Sequence, residues 1–297
     1  MRYGKKWGLQ GLNLEVRPGE IFGFLGPNGA GKTTSVKLFT GLLKPSTGRS
    51  LIFGEDSRRA SSHRHVGYAP ENPFIYDMLT PEETLLFYCG LQDIPAGERE
   101  KEVRWALGAV GLLEVKANKV KTFSKGMKGR LALAQALLGR PPLIFLDEPT
   151  SGQDPLARLA IRNLILWYRD NGGTVFLNSH ILTDVEKICD RVAILNRGRL
   201  VRTGSLEELE RGADRLVIEA EPVSGAFLEG LRRLGKVFRA VPGGLEVEGV
   251  GREEVPGLTR MLVESGTEVY GVRLQGRSLE ELFVEAVGAD ESNHPGF

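Results

Sequence analysis

The run Gly26-Pro27-Asn28-Gly29-Ala30-Gly31-Lys32-Thr33-Thr34 constrains this chain more than any other stretch. It follows an apolar segment, Ile21 to Leu25, and opens a segment with helical patterning. Strand, glycine-rich turn and helix in that order make a phosphate-binding loop. Glycines let the backbone turn its N–H groups onto a phosphate where a Cβ would obstruct them. The helix N-terminus behind the turn adds partial positive charge. In such a loop Lys32 bridges the β- and γ-phosphates and the Thr33 hydroxyl ligates Mg2+.

The surrounding sequence reads as an α/β domain built on a mostly parallel sheet. Short apolar runs mark strands at Ile21–Leu25, Leu143–Leu146, Thr174–Leu177 and Val192–Leu195. Each ends in polar or glycine-rich residues, so functional loops gather at the carboxyl edge of the sheet. Over residues 80–138 the pattern is helical instead. Pro81-Glu82-Glu83 opens one helix, Glu98 to Leu113 carries apolar residues at helical spacing, and Leu131 to Leu138 forms a further apolar helix. That stretch is expected to be a helical insert.

After about residue 210 the texture changes. Residues 215–297 hold 9 Lys and Arg against 14 Asp and Glu, a balance of −5, whereas residues 1–214 stand at +6. The expected order is strand (Leu216–Glu221), helix (Ala226–Leu234), strands (Val237–Val241, Leu245–Val250), helix (Glu253–Glu264), strand (Val269–Leu274) and a short helix from Leu279. This is the split β-α-β pattern of a small α+β, ferredoxin-like domain over 215–288, with 289–297 as a tail. Val241-Pro242-Gly243-Gly244 suits a hairpin turn.

Composition excludes some functions. Hydrophobic residues make up 41% and charged residues 26%, enough for a real core. A net charge of +1 argues against nucleic acid as a partner. Cys89 and Cys189 stand far apart, in no metal-ligand spacing, and read as free thiols of a reducing compartment. No stretch approaches the roughly 18–20 apolar residues of a membrane span, and the first residues do not lead into a signal peptide. A cytoplasmic chain is expected.

Asp147-Glu148-Pro149 ends the strand candidate at Leu143. Two acids there are costly unless a cation meets them. Asp147 is placed to hold the Mg2+ shell and Glu148 to take a proton from an attacking water; taken alone, the same residues also read as a helix cap. Phe123-Ser124-Lys125-Gly126-Met127 precedes Asp147 by about twenty residues and opens the apolar helix. Alone, Ser124 there reads equally as an N-cap.

Together these segments resemble the ABC ATPases, whose signature commonly reads Leu-Ser-Gly-Gly-Gln; Ser124 and Gly126 match it, while Phe123, Lys125 and Met127 depart from it. Ser151-Gly152-Gln153-Asp154-Pro155 resembles the family's D-loop, with Gln153 where leucine is common. Asn178-Ser179-His180 resembles the switch-histidine segment, and Tyr68-Ala69-Pro70-Glu71 resembles the Q-loop, with Glu71 in place of glutamine. Tyr3 resembles the aromatic residue that stacks on adenine, although only Met1 and Arg2 precede it where relatives carry a longer first strand. Either the sheet lacks that strand or the natural start lies upstream.

The resemblance covers residues 3 to about 210. It implies a P-loop ABC ATPase domain over 1–210, using ATP and Mg2+. Lys32, Glu148 and His180 would be catalytic; Thr33, Glu71 and Asp147 would hold the metal. Tyr3, residues 26–34, Ser124, Gly126 and Asp154 would bind nucleotide. It further implies two copies sandwiching two ATP, each P-loop facing Ser124 and Gly126 of the other copy. A separate transmembrane permease, with this chain on the inner face of the membrane, would export a substrate. A non-transport ABC ATPase of translation or repair, or a regulatory subunit that no longer hydrolyses ATP, are the alternatives.

Overall fold

The computed structural model describes residues 1–3, 6–210, 215–276 and 278–288. Two compact units emerge among the described residues: Met1–Ser205 with Ala286 to Gly288, and Leu206–Glu285.

In the first unit six strands form one sheet. They are β1 (Ile21–Leu25), β2 (Val66–Ala69), β3 (Leu143–Asp147), β4 (Thr174–Asn178), β5 (Arg191–Asn196) and β6 (Arg199–Ser205), in the spatial order β6-β5-β1-β4-β3-β2. Neighbours pair in parallel except β5 and β6, which form an antiparallel hairpin. All five residues of β1 and of β4 are buried. A parallel sheet covered on both faces demands such unbroken apolar runs, which is why the sequence announced these strands. Phe24, Phe145 and Phe176 pack across β1, β3 and β4, Phe176 lying 5.3 Å from each of the other two ring centroids.

The helices follow the strands. Helix α1 (Lys32–Phe39) leaves the glycine-rich turn after β1. Helices α2 (Pro81–Leu91), α3 (Ala96–Ala109) and α4 (Lys125–Leu137) lie between β2 and β3 in the chain. Thr80 starts α2 with a capping box: its hydroxyl accepts from the Glu83 N–H, and the Glu83 carboxylate accepts from the Thr80 N–H. Helix α4 rests against β2 so closely that a Cβ on Gly67 would stand 1.9 Å from the Ala136 carbonyl oxygen. Helices α5 (Pro155–Asp170) and α6 (Leu182–Ile188) follow β3 and β4 in the chain.

Some expectations shift. The helix expected over Glu98–Leu113 runs over α3, and a 3-10 turn at Leu113–Val115 follows. The strand β2 and the hairpin partner β6 were not expected; β2 alternates part-buried and buried residues, β6 has no buried residue, and neither carries a continuous apolar run. Near the start, Arg2–Tyr3 pairs with Lys6–Trp7 in a two-residue ladder, and residues 8–20 form neither helix nor strand. A cavity of about 900 Å³ lies beside them, reaching Phe39, Phe145 and Phe176.

The second unit holds β7 (Arg215–Ala220), α7 (Gly225–Arg233), β8 (Phe238–Val241), β9 (Gly244–Glu248), α8 (Val255–Glu264) and β10 (Val269–Gln275). Its antiparallel sheet runs β8-β9-β7-β10. Pro242 and Gly243 form the β8–β9 hairpin turn, with Val241 paired to Gly244 and Gly243 at φ 75°. Buried Leu216, Ile218, Phe227, Leu231, Val247 and Leu262 make its core. The predicted tail at 289–297 lies outside the described residues. Among the described residues no helix is long and apolar enough to cross a membrane.

Candidate functional site

Three chain segments leave the sheet at one edge. The loop of Gly26 to Gly31 follows β1, the pair Asp147-Glu148 ends β3, and His180 follows β4, which lies between those two strands. Asp147 stands opposite Asn178 in the β3–β4 register. The parallel order therefore brings segments more than a hundred residues apart to one place.

The glycines of the loop are sterically required at two positions. A Cβ on Gly26 would lie 2.4 Å from the Leu195 carbonyl oxygen, and one on Gly31 would lie 2.4 Å from that of Gly8. Gly31, at φ 105°, caps α1 from the left-handed region, and Gly29 has φ 80°. Asn28, Gly29 and Thr33 are exposed, Thr34 is half-buried, and Pro27 and Ala30 close a turn through the Ala30 N–H to the Pro27 carbonyl at 3.1 Å. Lys32 is buried, and its ammonium donates to the carbonyls of Gly26 at 2.7 Å and Pro27 at 3.3 Å. Burial lowers the Lys32 pKa, while Glu148, Asp147 and Glu71 oppose that shift.

The acids mirror this. Asp147 is 4% exposed and accepts a hydrogen bond from the Asn178 side-chain amide. Burial raises its pKa; the Asn178 bond lowers it, and the negative charges of Glu148 and Glu71 raise it further. Glu148 sits at φ 54°, a left-handed conformation that costs a non-glycine residue strain energy and recurs where function over-determines the backbone. Its N–H donates to the Asn178 carbonyl at 2.8 Å. His180 Nδ1 lies 2.7 Å from Glu148 Oε2, a close contact without hydrogen-bond alignment, and the imidazole is largely exposed. Glu71 lies in the exposed loop after β2 and lines one small pocket with Asp147 and Glu148.

The donors suit Mg2+ held largely by phosphate oxygens. Among the described residues there is no group of three or more His, Cys, Asp and Glu side chains poised for a metal. An exposed threonine hydroxyl at a helix start and one buried carboxylate match an ion that takes one or two carboxylates and completes its shell from substrate phosphates and water.

The remaining residues stand apart from this edge in their local roles. Ser124 is exposed and caps α4, its hydroxyl accepting from the Met127 N–H at 3.2 Å. Gly126 is buried in the first turn of that helix. Asp154 caps α5 through the Ala157 N–H at 2.9 Å, a bond that lowers its pKa. The Tyr3 side chain lies outside the described residues. Sequence reasoning passed over Asn178, whose signal was a polar residue ending a buried strand. It noted Gln153 only as a departure, although that side chain is buried and bonded.

Comparison with known proteins agrees with this arrangement. The family described as ABC transporter matches residues 9–151. An ABC transporter ATP-binding protein of a Nostoc species is 39% identical over 287 residues, covering 96% of this chain and 84% of the relative. The bacitracin transport ATP-binding protein BcrA of Bacillus licheniformis is 33% identical, covering 96% and 94% of the two chains. A solved ATP-binding subunit of an ABC transporter superposes with a TM-score of 0.66 at 33% identity, over 70% of this chain and 88% of its own. With likeness extending over nearly the whole of two such relatives, this chain belongs to the ATP-binding, ATP-hydrolysing proteins of the ABC transporter family.

Proposed function

We propose that this chain is the motor subunit of an exporter: two copies close on two ATP molecules and drive a separate transmembrane permease from the cytoplasmic face of the membrane. The observation that carries the reading is the convergence of Lys32, Asp147, Glu148 and His180 on one sheet edge, with Glu148 strained and His180 against it. Residues 26–34 cradle the phosphates, Lys32 neutralises their charge, and Tyr3 stacks on adenine. Glu148 accepts a proton from the attacking water and His180 holds the γ-phosphate. Thr33 and Asp147, with Glu71 beside them, would hold Mg2+, which supplies charge neutralisation at the phosphates. Ser124 and Gly126 reach the ATP bound by the other copy, where a helix N-terminus meets phosphate, and Asp154 lies at the interface. A head-to-tail pair of this kind has two equivalent sites and closed two-fold symmetry.

Helices α2 to α4 read as the helical insert that, with the loop at Glu71, passes motion to the permease. Residues 1–210 then form the ATP-binding domain. Residues 215–288 form a ferredoxin-like accessory domain, and the strand order β8-β9-β7-β10 supports that reading. A role in transport is supported by likeness to the bacitracin transport protein. Static light scattering of Glu148→Gln tests the core of the proposal. A shift from monomer to dimer only with Mg-ATP is the expected result; a monomer that binds ATP and never dimerises would overturn the sandwich.

A further inference from the structure

Residues 51–56 turn back on themselves. Leu51–Ile52 pairs antiparallel with Glu55–Asp56, and Phe53 and Gly54 make the turn between them at φ 49° and 85°. Two successive left-handed residues match the strand twist of a tight hairpin, and Asn-Gly or Asp-Gly is the usual pair there. Phenylalanine at that place holds a strained backbone, yet its ring gains little burial in return. It is 53% exposed and touches His65 edge-on, with 6.0 Å between ring centroids. Leu51 nearby is 47% exposed. A strained residue that serves no core points to a task at the surface.

The surroundings are basic. Residues 44–65 hold five Lys and Arg against two Asp and Glu, a balance of +3 in a chain whose total is +1. Lys44, Arg49, Arg58, Arg59 and Arg64 are all exposed. Arg58 is matched by Asp56 at 2.6 Å, whereas Arg64 meets Asp93 only at 3.9 Å with both side chains open to solvent, a pairing of little worth. The hairpin and the arginine-bearing turn after it are tied together. The Ser61 hydroxyl donates to Glu55 Oε2 at 2.6 Å, and His63 Nε2 lies 2.8 Å from the Ser57 carbonyl oxygen. Apolar tip and positive rim therefore belong to one surface.

We propose that this surface docks on the anionic headgroup layer of a lipid bilayer, with Phe53 and Leu51 among the headgroups and the arginines on lipid phosphates. A bilayer interface, with phosphates above and apolar chains below, accepts an aromatic tip rimmed by bases. The planar arginine fork suits phosphate oxygens. A nucleic acid or an acidic polypeptide would meet the bases but offers no apolar layer to Leu51. None of these residues belongs to the nucleotide site, so the inference stands apart from the ATP-sandwiched dimer.

The test is co-sedimentation of the full-length protein with phosphatidylcholine vesicles, with and without phosphatidylglycerol, over a range of salt. Wild type is expected on the phosphatidylglycerol vesicles alone, and is released as salt shortens the Debye length. Arg59→Gln combined with Arg64→Gln should weaken attachment about 25-fold, at about fivefold for each base near an anionic surface. Phe53→Asn should weaken it about tenfold through the lost apolar contact. The melting midpoint of Phe53→Asn should hold or rise, because asparagine accepts the left-handed turn that phenylalanine resists; its loss of attachment then cannot come from unfolding. ATP hydrolysis without vesicles should match wild type in both variants. Equal sedimentation with the two kinds of vesicle, or none with either, would overturn the proposal. So would variants that attach as wild type does, which would place attachment elsewhere, or a fluorescent single-stranded RNA that binds wild type when vesicles do not.

Discussion

The N–H of Glu148 donates to the carbonyl of Asn178 at 2.8 Å, while the Asn178 side chain donates to Asp147. One asparagine at the end of β4 thus holds both acids of the neighbouring strand, one through its backbone and one through its amide.

Replacing that amide should be felt twice. Asn178→Ala leaves Asp147 buried without its donor and should destabilise the fold by about 1–3 kcal/mol. Asn178→Asp adds a third carboxylate beside Asp147 and Glu148 and should be worse. Urea unfolding of both variants checks the order; an Asp variant as stable as the Ala variant would contradict it.

The left-handed backbone at Glu148 predicts a conflict between turnover and stability. Glu148→Gln should lower kcat by about 100-fold or more, the ordinary contribution of a general base. Glu148→Gly should be equally inactive yet match or exceed Glu148→Gln in unfolding free energy, by up to about 1 kcal/mol, because glycine adopts φ 54° without strain. Phosphate release and chemical denaturation together read this out.

The glycines of the loop should separate by mechanism. Gly26→Ala and Gly31→Ala push a Cβ to 2.4 Å from a carbonyl oxygen and should abolish ATP binding. Gly29→Ala meets no atom within 4 Å, so only its positive φ resists; the loss should be near the left-handed penalty of about 1–2 kcal/mol. Titration with a fluorescent ATP analogue ranks the three.

Arg162 on α5 donates to Asp184 on α6 at 2.7 Å, with the carboxylate side chain 4% exposed. Arg162→Met strands a buried charge and should destabilise the protein by about 3–5 kcal/mol. Adding Asp184→Leu should restore most of that loss. Thermal unfolding of the single and double variants decides it, and an unrepaired double variant would show that packing dominates.

The sequence disclosed what local chemistry and burial dictate. Ile21–Leu25 and Val175–Leu177 are apolar because both strands are buried throughout, and Gly26 to Thr34 keeps the residue types that a phosphate requires. Strand β2 escaped notice because Gly67 is there to admit the Ala136 carbonyl, a demand from a helix far along the chain. Gln153 and Asn178 were opaque for the same reason. Each earns its place through one hydrogen bond to a distant segment, and no periodicity records such a bond.

Strand β4 stands between the strand that leads into the glycine loop and the strand that ends in Asp147. Two interstrand steps amount to about 9.5 Å. The sheet thereby acts as a ruler for the length of a phosphate chain. The diphosphate left after hydrolysis would end short of the far side, whereas the γ-phosphate of a triphosphate gripped by the loop would extend across the gap toward Asp147 and Glu148. Distinguishing fuel from spent nucleotide is in this way written into backbone spacing, which no single side-chain substitution can alter.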